Sequence, residues 1–446
     1  MPDSQPWQPD DHAADAAGAT GSPDTAAPAG LVLCGARLTD GRVVDVRLGG
    51  GRIEAVGTAG SLAAPGPRLD LRGYLLLPAP AEPHAHSDTA LTADDAGPGV
   101  PGPASHRPED IRRRVPGPAS HRPEDIRRRA TEAALLQLGH GATALRSHVR
   151  IGDVQGLAPL EAVLQAGRSL RGLADLTPVA VPRLLTGVAG AGNLAMLRDA
   201  VKMGAGAVGG CPDLDPDPAG YAEAVLEVAA EQGCPVDLHT DSDDPARLGR
   251  LAAMAGGLRA GVSLGPCAGL SRLPPQAAAR AADQLAAAGV TVVCLPQGGC
   301  CGVEGRGTAP VRLLRAAGVR VAAGSGALRD LANPVGRGDP LEAAYLLASQ
   351  HGLPAAEAYE AVSSAARTAM GLPGVRVEAG FPAELLAVRG EQLPGVLSLA
   401  CSRVVVHRGR VVARTSAVRE YCDSETVVAL GLPRQGRTDS GSCGGP

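Results

Sequence analysis

Residues 74–88 read YLLLPAPAEPHAHSD. An apolar run ends on two histidines, His84 and His86, two positions apart. On a strand, residues i and i+2 face the same way, so the run predicts a buried strand with two imidazoles at its carboxyl end. That arrangement suits a metal ion. Downstream, ATALRSHVRI, LTPVAVPRL, GAVGGCP, CPVDLHT, AGVSLGPC, VTVVCLPQ and VRVAAGSG read as further strands. Helical patterns separate them, among them PAGYAEAVLEVAAEQG, LPPQAAARAADQLAAAG and APVRLLRAAG, each closing on Gly. Alternation of this kind predicts a (β/α)8 TIM barrel, which needs eight strand–helix units in roughly 250 residues or more. An open doubly wound sheet is the alternative, but no Gly-rich phosphate loop follows the first strand.

Short strands and Gly turns fill LVLCGARLTDGRVVDVRLGGGRIEAVG near the start, and the same texture returns in AELLAVRG and RVVVHRGRVVART near the end. They predict one small β domain built from residues 29–75 and 376–416, with the barrel at 76–375. Residues 1–28 hold five Asp and no Lys or Arg, and read as a disordered acidic tail; residues 417–446 read as a second tail. Within the barrel, residues 100–114 (VPGPASHRPEDIRRR) recur unchanged as 115–129. Only the second copy can grow a long helix: Pro123 opens it, Glu124 and Asp125 favour its N-terminal dipole, and Ile126, Ala130, Ala134 and Leu138 follow at helical spacing. The first copy meets Pro116 at once. The repeat reads as a tandem duplication in a tolerant loop, with a lid over the barrel mouth as the functional alternative. Ser105–His106 and Ser120–His121 inside it lack an orienting carboxylate and read as turn residues.

Composition narrows the classes. Apolar residues make up 44% of the 446, enough for a large core, while aromatics are 2%, so Val, Leu and Ala must fill it. The only Trp, Trp7, lies in the acidic tail. One of the 42 basic residues is Lys, and the net charge of −4 gives no basic domain, which argues against a nucleic-acid partner. No apolar run is long enough for a membrane span and the N-terminus lacks a signal-peptide core. Ten cysteines without paired spacing, with Cys300–Cys301 read as a turn, fit a reduced, cytoplasmic protein.

Barrel active sites sit at the carboxyl ends of the strands. His84 and His86 end the first predicted strand and His239, in VDLHTDSDD, ends the fifth, so the three imidazoles can converge on one cation. Three His and a water suit zinc, which lowers that water's pKa to about 7.

The stretch EPHAHSDTALTA resembles the first-strand motif of the amidohydrolase superfamily, and of its cytosine deaminase group in particular. RSHV (146–149), GGCPDLDPD (209–217), VDLHTD (236–241), NPVGRGDPLEAAYLL (333–347) and AARTAMGLPGVRVEAGFPAELLAVRG (365–390) support the likeness, which covers about residues 30–415. It implies a metal-dependent barrel with a composite β-sandwich, a divalent metal (Zn or Fe), and hydrolysis of a C–N bond in a small cyclic amidine such as cytosine. Carried over by position, it implies His84, His86 and His239 as ligands. The family's catalytic Glu falls on Ser242, its sixth-strand His on Pro266, and its eighth-strand Asp on Gly326. A pocket Gln corresponds to Arg183, which would favour an anionic substrate, and an aromatic to about Ala332. Lost proton shuttles each remove roughly 10²–10⁴-fold of assistance. Asp241, Asp243, Asp244 and Asp330 are the nearby carboxylates, and Cys267 the nearby thiol. Three readings follow: a hydrolase of altered substrate choice, a catalytically inactive pseudoenzyme that binds a ligand or partner subunit, and a decayed copy without a role. The sequence leaves a homo-oligomer open.

Overall fold

The computed structural model describes residues 30–63, 66–95, 122–152, 154–258, 260–298, 307–399 and 402–417. The acidic tail with Trp7, residues 418–446 of the second tail, the first copy of the duplication, the Ser–His pairs and Cys300–Cys301 lie outside them.

The opening stretch supplies two strands, not one. β5 (Tyr74–Pro78) belongs to one sheet and β6 (Ala81–Ala85) to another. Pro78 and Pro80 bracket the crossing, and neither has an N–H to extend a ladder. The Ala79 N–H donates to the Glu384 carbonyl, while the Pro80 carbonyl accepts from Thr143. The chain changes sheets between these two bonds.

The first sheet is the composite β domain. Before β5 come β1 (Leu31–Arg37), β2 (Val43–Gly49), β3 (Arg52–Thr58) and β4 (Arg68–Asp70). The far end of the chain returns β14 (Leu385–Arg389), β15 (Arg403–His407) and β16 (Arg410–Thr415). Their order is β16-β15-β14-β5-β1-β2-β3, with β4 beside β1. β5 is therefore the seam where the two ends of the chain join, pairing Leu76 with Ala387 and Leu75 with Val388.

The second sheet is parallel and runs β6, β7 (Ala144–Ile151), β8 (Asp175–Pro182), β9 (Ala207–Gly210), β10 (Val236–Thr240), β11 (Val262–Pro266), β12 (Thr291–Cys294) and β13 (Arg320–Ala323) in sequence order. A parallel bridge between Ala85 and Gly326 closes it. Helices α1 (Pro123–Gly139), α2 (Ala158–Ser169), α3 (Gly187–Met203), α4 (Pro218–Gln232), α5 (Pro245–Ala255), α6 (Pro275–Ala287) and α7 (Val311–Ala316) alternate with the strands. This is the expected (β/α)8 barrel with a small domain from both ends.

Helix α1 begins at Pro123 and buries Ile126, Ala130, Ala134 and Leu138, the spacing that separates the second copy of the repeat from the first. Past the barrel, α8 (Pro340–Ser349), α9 (Ala355–Val362) and α10 (Ser364–Ala369) lead back to the β domain.

Alternation along β5 divides the cores. Leu75 and Leu77 join the barrel's core, while Leu76 packs with Leu33, Val46, Ile53, Leu385 and Val406 in the β domain. The buried Arg403–Asp339 ion pair, 2.6 Å, ties β15 to the N-cap of α8. Leu77→Ala should cost about 2–5 kcal/mol, because it opens a cavity at this seam. Urea unfolding monitored by circular dichroism checks this; a change under about 1 kcal/mol would mean the domains are not held through β5.

Candidate metal centre

Three barrel strands aim alternate residues inward at one place. β6 contributes Glu82 and His84, β7 contributes Arg146 and His148, and β10 contributes Asp237 and His239; all six are buried. His86 stands one residue past the end of β6 and is half-buried. Thus the two histidines of the motif do not share a strand: His84 points from the ladder and His86 from the turn that follows.

The imidazoles nevertheless meet. Nε2 of His84 and Nε2 of His239 lie 2.7 Å apart. Ring centroids of His84 and His86 are 5.3 Å apart, and those of His86 and His239 are 5.2 Å apart. One donor atom from each of the three falls within 4.8 Å of the others. Tetrahedral zinc with about 2.0–2.1 Å bonds holds its ligand nitrogens roughly 3.3 Å apart, so this donor set fits a divalent cation after small movements. Two ring nitrogens at 2.7 Å must share either a proton or a cation, since two bare lone pairs repel.

The sequence reading missed His148. Its ring centroid is 4.2 Å from that of His84 and 4.7 Å from that of His239, completing a cluster of four imidazoles. It also missed the ionic network beneath. Arg146 Nη2 lies 2.6 Å and His148 Nε2 3.3 Å from Asp237 Oδ2, and Arg146 also donates to the carbonyls of Pro83 and Ala369. The signal was the period of two: Arg146 precedes His148, and Asp237 precedes His239, by two positions. Burial opposes ionisation of Asp237, but Arg146 and His148 outweigh it and hold the carboxyl below its ordinary range. Glu82 lies on the closing seam, accepting from the backbone of His84 and from the N–H and hydroxyl of Ser325. Burial pushes its pKa up to about 7.

The remaining positions carry little proton chemistry. Ser242 is buried and its hydroxyl accepts from the Asp244 N–H. Pro266 ends β11 opposite Thr240, next to the cis Gly265–Pro266 bond. Gly326 has φ +71°, and a Cβ there would approach Leu295 Cδ1 to 3.2 Å.

The neighbouring carboxylates are engaged in loop structure. Asp330 accepts from the N–H groups of Ala332 and Asn333 and from the Thr89 hydroxyl. Asp241 Oδ1 accepts from the Ala268 N–H. Asp244 caps α5 through Ala246, and Asp243 pairs with Arg272 at the surface. Burial raises the Cys267 thiol well above its ordinary value, which removes it as a thiolate. Arg183 follows β8 directly and is exposed on the same side of the barrel as the histidines.

A closed parallel barrel with imidazoles gathered at its carboxyl ends, and a second sheet from both ends of the chain, defines the class of barrel hydrolases. The chain belongs to the amidohydrolase family, whose family model (Amidohydro_3) matches residues 127–413. It is 29% identical over 254 residues to a pterin deaminase of Rhizobium rhizogenes, a match that spans 52% of this chain and 56% of that protein. The chain thus spans about half the length of that curated relative. Among solved structures it resembles N-isopropylammelide isopropylaminohydrolase from Burkholderia multivorans, with 26% identity and a TM-score of 0.75 over 87% of this chain and 100% of that one. It shares the fold of 5-methylcytosine deaminase from Klebsiella pneumoniae liganded with 5-fluorocytosine, with 24% identity and a TM-score of 0.76 over 89% of this chain and 100% of that one. Among the described residues no helix is long and apolar enough to cross a membrane.

The imidazole cluster makes acid the weak condition of the metal-free fold. Burial, then the neighbouring His148 and His239, holds His84 well below its ordinary pKa; burial lowers His148 despite the Asp237 carboxylate. Unfolded chains protonate these rings below about pH 6.5 while the fold resists. Stability should therefore fall as pH drops below that value, by up to about 1.4 kcal/mol per pH unit for each ring until the folded rings titrate. Denaturant unfolding with chelator at pH 7.5 and 5.5 tests this, and equal stability at both would contradict it.

Proposed function

We propose that this chain is a cytosine deaminase-like, metal-dependent hydrolase of a C–N bond in a small cyclic amidine, with impaired or altered chemistry. The observation that carries the reading is the convergence of His84, His86 and His239 beside Ser242, Pro266 and Gly326, none of which titrates near neutral pH. The bound divalent metal, zinc or iron, would supply an activated water at neutral pH. His84 and His239 would hold the ion from the barrel wall and His86 from the mouth. Relatives named for pterin, 5-methylcytosine and N-isopropylammelide chemistry support a ring-borne amine as the substrate class.

Proton transfer is the missing half. Removing the leaving amine requires a group that takes a proton from water and delivers it to nitrogen. The Ser242 hydroxyl does not titrate near pH 7, and Pro266 and Gly326 have no donor or acceptor in their side chains. Asp241 and Asp330 already accept loop hydrogen bonds, and burial raises the Asp330 carboxyl above its ordinary value. Arg183, exposed beside the mouth, would favour a substrate bearing negative charge. The same losses support a second reading, a pseudoenzyme that keeps the fold to bind a ligand or partner subunit.

Zinc-loaded protein should release ammonia from cytosine, 5-methylcytosine or pterin at least 10²-fold more slowly than an ordinary enzyme's roughly 10 s⁻¹. Turnover near that value would show that the substituted positions do not matter. The triple variant Ser242→Glu, Pro266→His, Gly326→Asp should raise the rate by 10²-fold or more. Asp is among the few residues that tolerate the positive φ of position 326. Ammonia release by this variant, measured with its zinc content, separates a repairable hydrolase from a ligand-binding pseudoenzyme. His84→Ala should abolish tight zinc binding, read by equilibrium dialysis; unchanged binding would remove the metal from the proposal.

A further inference from the structure

We infer that the barrel holds a second, inner cation subsite formed by His84, His148 and Asp237. It alternates with the outer three-imidazole set and shares His84 with it.

One donor atom from each of these three residues lies within 4.8 Å of the other two, and all three side chains are fully enclosed. Two imidazoles and one carboxylate make a donor set well suited to zinc or ferrous iron. Free coordination capacity is present among the described residues. His148 Nδ1 has no hydrogen-bond partner although His148 is only 2% exposed. Asp237 Oδ1 likewise has none, because Arg146 and His148 both approach Oδ2. A buried carboxylate oxygen and a buried ring nitrogen without partners normally carry a large desolvation cost, and a cation coordinated by these residues would offset it.

Charge explains why the ion would move inward. The outer set is three neutral imidazoles, and position 326, from which a carboxylate could reach it, is Gly. Of the two inward-facing carboxylates, Glu82 and Asp237, it is Asp237 that stands with His84 and His148, and it carries the negative charge the outer set lacks. Arg146 competes for that carboxylate and limits the affinity. If both sets use the same ring nitrogen of His84, filling one empties the other, and the chain holds one ion in total, distributed between an inner and an outer position. An ion in the inner position sits deeper in the barrel, farther from the mouth where substrate enters.

The inference accepts the outer set of the proposed function and adds to it; metal content of variants tests each separately. Purified full-length protein is stripped with chelator, and Co2+ or Zn2+ binding is measured by equilibrium dialysis and by Co2+ absorption. Wild type should bind one ion. His86→Ala cripples the outer set alone and should still bind one ion, within about tenfold of wild-type affinity, with an altered Co2+ spectrum. His148→Phe removes the inner donor while keeping a ring of similar volume, and it should bind one ion with the spectrum of the outer set. The double variant should bind none.

Loss of binding in His86→Ala alone, with His148→Phe unchanged, would overturn the inner subsite and leave the outer one standing. Loss in His148→Phe with His86→Ala unchanged would instead sink the outer reading. No binding by wild type defeats both. Asp237→Asn is unsuitable as the first variant, because it strands the buried Arg146. Thermal unfolding of each metal-free variant controls for folding, and Asp237→Glu serves as the conservative second variant, expected to retain inner binding.

Discussion

Everything at the centre of this molecule depends on the inward alternation of a closed parallel sheet. Once β6 to β13 close through the Ala85–Gly326 bridge, every second side chain has nowhere to go but the barrel axis. Residues 82 and 84, 146 and 148, 237 and 239 are then forced into one small volume. Six polar groups in a confined interior would be prohibitive singly. They persist because Arg146 neutralises Asp237, Ser325 and the His84 backbone satisfy Glu82, and the imidazoles face one another.

That interior also divides the labour of the site. The deep layer, Arg146 with Asp237, is ionic and fixed to the backbone of Pro83 and Ala369. The imidazole layer above it is polarisable and can exchange a proton or an ion. The outermost layer is loop, and its carboxylates are engaged: Asp330 folds its own turn, Asp241 holds the segment after β11, and Asp213 accepts from Thr240 and the Asp241 N–H. Positions 242, 266 and 326 at this mouth offer a hydroxyl, a proline and a glycine.

The β domain contributes through geometry. β5 is paired on both sides, by β1 and by β14, and the chain passes from it to β6 within two residues. The first ligand-bearing strand is thereby anchored to a sheet made from both ends of the chain. The Arg403–Asp339 pair fastens the same sheet to the N-terminus of α8. Position of His84 in the barrel is therefore set partly by residues more than 300 positions away, which is a tertiary constraint on a local motif.

The sequence alone determined the alternation of strands and helices, the pairing of the chain's two ends, the start of α1 at Pro123, and His84, His86 and His239 as one group. Each is a local property: hydrophobic period, a proline's fixed φ, or residue type at a strand end. Tertiary structure alone decided the rest. It split YLLLPAPAEPH between two sheets, because only long-range pairing shows which partner each half takes. It brought His148 and the Arg146–Asp237 pair beneath the imidazoles, since adjacency of β7 and β10 side chains across a barrel leaves no trace in spacing along the chain. It showed Asp330 and Asp241 accepting loop hydrogen bonds and Cys267 buried with its thiol raised, because hydrogen bonding and burial exist only after folding.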